Sequence, residues 1–346
     1  MSLSVEELVL TGSPQYGGLK FPFKRYTSSQ STSSPSGISL IFMHCIGTHK
    51  ETWEPTIEVL LDLQRKAGRQ VNIAEVWCLD APNHGHAAAL NDEALTNLSS
   101  PIDTATCAHG IQLLVASGRI RGDKIVALGH SAGATITIFS TAGCPLDRLP
   151  LAAMILLEPP MMTRPLLKKM LKGAAKGEAN AMQIAMTAVK TRRDTWPSRE
   201  AASQWLSKRF PWSTWDERAR KRFVDHGLCQ LPTSSYPDKH DGVTLACARE
   251  QEAAGYVDFE GMLAGLDRLS EICPVLPVHC IFAEREDLVS AETRAGIVDV
   301  KAGRRMASIS TIEGAGHLAP QENPDGTAGA IWKVLESVAS KRESKL

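Results

Sequence analysis

Short, almost continuous apolar runs recur along the chain up to residue 157 and again from residue 278, and the interval between them lacks such runs. Residues 7–11 and 19–26 predict two opening strands, and the run at 38–44 suits a strand buried on both faces. A regular alternation follows: helix 52–66, strand 75–80, helix 102–117, strand 124–128, helix 132–141, strand 152–157. Strands alternating with helices imply parallel crossovers and a doubly wound sheet, whose ligands bind at the carboxyl ends of the strands. After Pro159 and Pro160 the rhythm stops, then resumes with strands 278–283 and 307–312 and a helix 327–340. The expected organisation is a sheet-based core over 1–159 and 271–346, with a helical lid inserted at 160–270.

Composition narrows this reading. With 346 residues and 43% apolar content the chain buries a large core. Lys+Arg and Asp+Glu both total 38, so net charge points to neither nucleic acid nor an anionic membrane. No signal peptide and no membrane span is expected. Eight scattered cysteines show no zinc spacing and read as reduced thiols. The last three residues, Ser344, Lys345 and Leu346, match the tripeptide read by the peroxisomal import receptor at a free carboxyl terminus. A peroxisomal location is therefore expected.

The chemistry gathers at the strand tips. Gly129-His130-Ser131-Ala132-Gly133 has the form G-x-S-x-G, a sharp strand-to-helix turn that exposes a nucleophilic serine. The strand before it and the small-residue helix after it are the context that turn requires. Ser131 is the expected nucleophile, and the N–H of Ala132, at the helix amino terminus, is an oxyanion donor. His317, in Gly314-Ala315-Gly316-His317 after the last strand, is the expected general base. For the acid that orients it, Glu158 closes an apolar strand and needs a buried partner; Glu286 and Asp287, after the next core strand, are the alternatives. His84 and His86 are candidates to line the pocket, and Cys45 is a remote second candidate for a nucleophile. No metal or organic cofactor is called for.

These motifs, with His44-Cys45-Ile46-Gly47, the segment Asp80 to His86 and the terminal tripeptide, resemble the α/β hydrolases, in particular fungal peroxisomal hydrolases of secondary metabolism. That group includes the acyl-CoA hydrolase of mycophenolic acid synthesis and hydrolases of host-selective toxin clusters. The resemblance implies the α/β-hydrolase fold, a second oxyanion donor from the loop after the third strand (the N–H of Ile46), and hydrolysis of an acyl thioester such as an acyl-CoA. It also favours Glu158 as the acid, although in most of the fold the acid follows the next strand. Between residues 164 and 222 the sequence carries 15 Lys or Arg against five Asp or Glu, a local excess suited to the phosphates of coenzyme A or to a solvated helical face. The interleaved Met161, Met162, Met170, Met182 and Met186 suit an acyl tunnel or a core. The competing readings are a carboxylesterase, lactonase or acyltransferase, and a non-catalytic small-molecule binding protein.

Overall fold

The computed structural model describes residues 3–28, 37–68 and 70–340. Most of the Ser-rich stretch after residue 27 and the terminal tripeptide lie outside these residues. The chain opens with strands β1 (Ser4–Thr11), β2 (Lys20–Thr27) and β3 (Ile38–Met43). Helix α1 (Glu54–Ala67) leads into β4 (Ile73–Leu79), and two short helices absent from the sequence reading follow, α2 (Gly85–Leu90) and α3 (Asp92–Thr96). Then come α4 (Thr104–Ala116), β5 (Lys124–His130), α5 (Ala132–Phe139) and β6 (Ala153–Leu157).

The eight-stranded sheet has the order β1-β2-β4-β3-β5-β6-β10-β11, completed by β10 (Val278–Ala283) and β11 (Ser308–Ile312). β2 pairs antiparallel with both of its neighbours, β1 and β4, and the remaining neighbours pair parallel. Alternation along β3 feeds two cores: Ile41 and Met43 face a cluster with Phe21, Leu79, Ala127 and Leu156, whereas Leu40 and Phe42 face one with Val76, Leu128 and Ile281. Every residue of β3 is buried, as a central parallel strand covered by helices on both faces requires. This is the α/β-hydrolase fold expected from the sequence.

Between β6 and β10 the chain forms α6 (Arg164–Ala175), α7 (Ala181–Thr191), β7 (Thr195–Trp196), α8 (Arg199–Leu206), α9 (Glu217–His226), β8 (Leu228–Gln230), β9 (Val243–Leu245), α10 (Arg249–Gly255) and α11 (Phe259–Ile272). The segment is not purely helical, because its strands pair antiparallel in the order β7-β9-β8. They share a separate apolar cluster of Trp196, Trp212, Trp215, Phe223 and Leu228 with the helices around them. The tryptophans carry this cluster, and their spacing has no helical or strand period to announce it. The boundary expected at 270 falls inside α11, whose Leu266, Leu269 and Ile272 pack into the core beneath the sheet. After β10 the chain completes α12 (Ala291–Ile297), β11, α13 (Ala319–Glu322) and α14 (Pro324–Ser340). Among the described residues no helix is long and apolar enough to cross a membrane.

Candidate active site

Three adjacent parallel strands, β5, β6 and β10, end side by side, with His130 opposite Leu157 and Leu157 opposite Ile281. Ser131 leaves β5 with φ 54° and ψ −124°, the strained turn that a nucleophile elbow requires. The flanking glycines are obligatory here: a Cβ on Gly129 would collide with the backbone of Gly133, and one on Gly133 would lie 2.6 Å from the Met43 carbonyl oxygen. Glu158, at the tip of β6, has φ 48°. Ser131 and Glu158 are the only non-glycine residues with positive φ among those described, so backbone strain concentrates at the tips of two neighbouring strands.

His317 joins these two tips. Its Nε2 lies 2.8 Å from Ser131 Oγ, and its Nδ1–H donates to Glu158 Oε2 at 3.1 Å. The other carboxylate oxygen, Oε1, accepts from the Ala283 N–H at 2.8 Å and from Arg294 Nη2 at 3.1 Å. Glu158 is wholly buried, whereas Ser131 and His317 keep 6% and 8% of their surface. The carboxylate at the end of this path is therefore sealed, and the serine and the imidazole are not.

The rival carboxylates do something else. Glu286 Oε2 accepts from the Ala291 N–H, and Asp287 Oδ2 accepts from the backbone N–H of His317 at 3.3 Å. Neither is hydrogen-bonded to the His317 ring. Asp287 instead fixes the backbone of the turn that delivers it, together with Glu322, which accepts from the Gly316 N–H at 2.9 Å. His130 Nε2–H donates to the His317 carbonyl oxygen at 2.7 Å, tying that turn to the elbow.

The turn 45–47 at the end of β3 sits against the amino terminus of α5, because Gly133 packs on the Met43 and His44 carbonyls. No protein acceptor takes the N–H of Ile46 or of Ala132 among the described residues. The turn is held from beneath by two buried histidines. His44 Nδ1–H donates to the Cys45 carbonyl oxygen at 2.8 Å and its Nε2 accepts from the Ala81 N–H at 3.0 Å; His84 Nε2 accepts from the Gly47 N–H at 3.0 Å. Both rings must be neutral to accept there. Burial lowers His44 to about 4 and drives His84 well below the ordinary histidine value. His84 thus lies behind the turn, while His86 is exposed. Cys45 is buried, and burial pushes its thiol up to about 12, which disfavours the thiolate.

The basic excess at 164–222 is largely engaged within the protein. Arg222 binds Glu54, Arg164 binds Asp267, Lys169 binds Glu292, and Arg199 donates to the carbonyls of Val224, Asp225 and Leu228. Lys168, Lys172, Lys176, Lys190 and Lys208 are exposed and form no ion pair with another described residue. Met162 packs with Leu167 and Met262, and Met170 and Met182 lie against them. No group of His, Cys, Asp or Glu among the described residues is placed to hold a metal ion.

Residues 40–330 match the model of the α/β hydrolase family, so the chain belongs to that family and is a hydrolase. Solved structures agree on the fold. The chain is similar to the peroxisomal alpha-beta-hydrolase Lpx1 of Saccharomyces cerevisiae, with 16% identity and a TM-score of 0.76 over 98% of this chain and 90% of that one. It is similar to the thioesterase domain of the curacin biosynthetic pathway, with 15% identity and a TM-score of 0.62 over 96% and 99%. A thermophilic esterase of Thermogutta terrifontis gives 16% identity and 0.58 over 96% and 99%. None of the curated proteins matches this chain.

Proposed function

We propose that the chain is a serine hydrolase of esters and thioesters, with Ser131 as nucleophile, His317 as general base and acid, Glu158 as the orienting carboxylate, and the N–H groups of Ile46 and Ala132 as oxyanion donors. The unbroken hydrogen-bond path from Ser131 Oγ through the His317 ring to Glu158 carries this reading. Ser131 Oγ bonds to the acyl carbon as its proton passes to His317 Nε2, and the carbonyl oxygen becomes an anion facing the two amides. The C–O or C–S bond then breaks and His317 returns the proton to the departing alcohol or thiol. Water repeats the sequence: His317 takes its proton, the acyl–serine bond breaks, and the acid leaves with Ser131 restored.

The substrate we propose is an acyl-CoA handled in a peroxisome of a secondary-metabolite pathway, with the segment 160–270 as lid. The tripeptide Ser344, Lys345, Leu346, the exposed lysines of α6 and the resemblance to fungal peroxisomal hydrolases support it. The commitment of so many basic residues to internal partners favours a second reading, a simple carboxylesterase, lactonase or acyltransferase. Ser131→Ala decides the common part: turnover falls at least about a thousandfold, labelling by a fluorophosphonate is lost, and the melting temperature holds. Undiminished turnover removes the proposal, and a wild-type serine that never labels favours a binding protein. Raising salt separates the substrates, since only a CoA thioester drawn by the lysines loses rate relative to its simple ester.

A further inference from the structure

The oxyanion turn has a second support, on the side away from the sheet. Helix α10 packs directly on it: a Cβ on Gly255 would lie 2.8 Å from Ile46 Cδ1, and a Cβ on Gly47 would lie 2.6 Å from Glu252 Oε1. Gly47 has φ 73°, so the residue that allows the turn its left-handed backbone also lets the Glu252 carboxylate approach. Glu252 is 3% exposed and is gripped by both terminal nitrogens of Arg192, just beyond the carboxyl end of α7, one of these contacts measuring 2.8 Å. Arg192 lies in turn over the Trp212 ring, 5.4 Å from its centroid, and its backbone carbonyl accepts from Arg249. The turn is thus sandwiched between His84 of the sheet-based core and Glu252 of the inserted segment.

We propose that Glu252, held by Arg192, is a positioning residue for the oxyanion hole, and that docking of the inserted segment through α10 sets the hole's competence. The inference rests on the proposed function of Ser131 and the turn 45–47. A buried bidentate pair is a costly way to gain stability, since desolvation offsets most of its attraction. Its placement against one catalytic turn gives it another effect: it fixes the backbone of residues 46 and 47 to within the tolerance that an anion stabiliser needs. Local rearrangement of α7 or α10, as an entering acyl group would cause, then moves the donor without touching Ser131, His317 or Glu158.

Glu252→Gln, which keeps the shape and removes the charge, tests this on the full chain with a p-nitrophenyl ester and a trifluoromethyl ketone, whose hemiketal anion reports on the hole. The expected result is a kcat lower by about 10- to 100-fold, KM within about twofold, and weakening of the trifluoromethyl ketone by the same factor as kcat. Binding of the product carboxylic acid stays as in the wild type. Where the single variant does not fold, Arg192→Met with Glu252→Gln removes both charges together and gives the same split. A folded variant with wild-type kcat and inhibitor affinity overturns the inference alone. A wild-type protein that neither turns over the ester nor binds the ketone overturns the proposed function, and this inference with it.

Discussion

The two halves of the site are built by different rules. The proposed proton relay of Ser131, His317 and Glu158 hangs on the tips of β5 and β6 and on the turn after β11, and its other partners, Ala283, Arg294, Asp287 and His130, also belong to the sheet-based core. The proposed oxyanion turn 45–47 lies where that core meets the inserted segment, with His84 on one side and Glu252 and Gly255 on the other. A relay held by parallel strands keeps its geometry as long as the sheet is folded. A turn held from two directions responds to either, which makes it the adjustable half.

Glu158→Gln probes the first half and carries the largest expected effect. The amide keeps the size of the carboxylate but no longer fixes the proton on His317 Nδ1, so kcat/KM falls by roughly a thousandfold or more. Glu286→Gln stays within about threefold of wild type, because that carboxylate caps α12. Asp287→Asn keeps an oxygen that can accept from the His317 N–H of the delivering turn but gives up the charge that strengthens that bond, and a loss of about tenfold or less is expected. Steady-state rates on one ester rank the three, and a Glu158→Gln enzyme as active as Asp287→Asn would end the assignment of the acid.

His84→Phe addresses the second half. The apolar ring leaves the Gly47 N–H without its acceptor while the relay stays intact. The expected loss is about tenfold in kcat, with Ser131 still labelled by a fluorophosphonate. If labelling disappears along with turnover, the two halves are not separable and the comparison fails.

This division also explains what was legible in the sequence. Ser131 and His317 announce themselves through local motifs, Gly-x-Ser-x-Gly and Gly-Ala-Gly-His, each following an apolar strand. Glu158 was a candidate because a charge closing a buried strand demands a partner, whereas its bond to the His317 ring, which Glu286 and Asp287 lack, needed the distances. Glu252 and Gly255 lie about two hundred residues after the turn they support, in a segment whose tryptophan-centred packing has no periodic signature. Their sole forewarning is Gly47, a glycine inside the turn at the end of β3, which marks a close approach without naming the neighbour. The eight strands of the main sheet were readable from their apolar runs, whereas their order in space was not, nor was the small β7-β9-β8 sheet, since two- and three-residue strands carry no pattern.

The smallest effect expected is on stability, and it falls on both halves alike. His44 and His84 beneath the oxyanion turn and His130 beneath the relay are all buried, and burial holds His130 at about 3 and His44 at about 4. His44 faces Asp80 at 4.0 Å together with His84, His49 and Lys50, and the pull of that carboxylate falls short of the desolvation; His130 faces the His317 ring, His44 and Trp53, which supply no opposing charge. Each ring binds a proton more readily in the unfolded chain, where its value is near 6.5. Stability is therefore complete above that pH and is lost as pH falls from about 6.5 toward the folded values, at up to about 1.4 kcal/mol per pH unit for each histidine. Between pH 6 and 4.5, before most carboxylates titrate, urea midpoints converted to free energy give the slope directly. His130→Gln retains a donor for the His317 carbonyl, and it should lower that slope by about one proton's worth, with His44, His84 and His226 among the groups that supply the remainder. An unchanged slope would mean that His130 takes up its proton within the folded protein, and the neutral ring described beneath the relay would have to be given up.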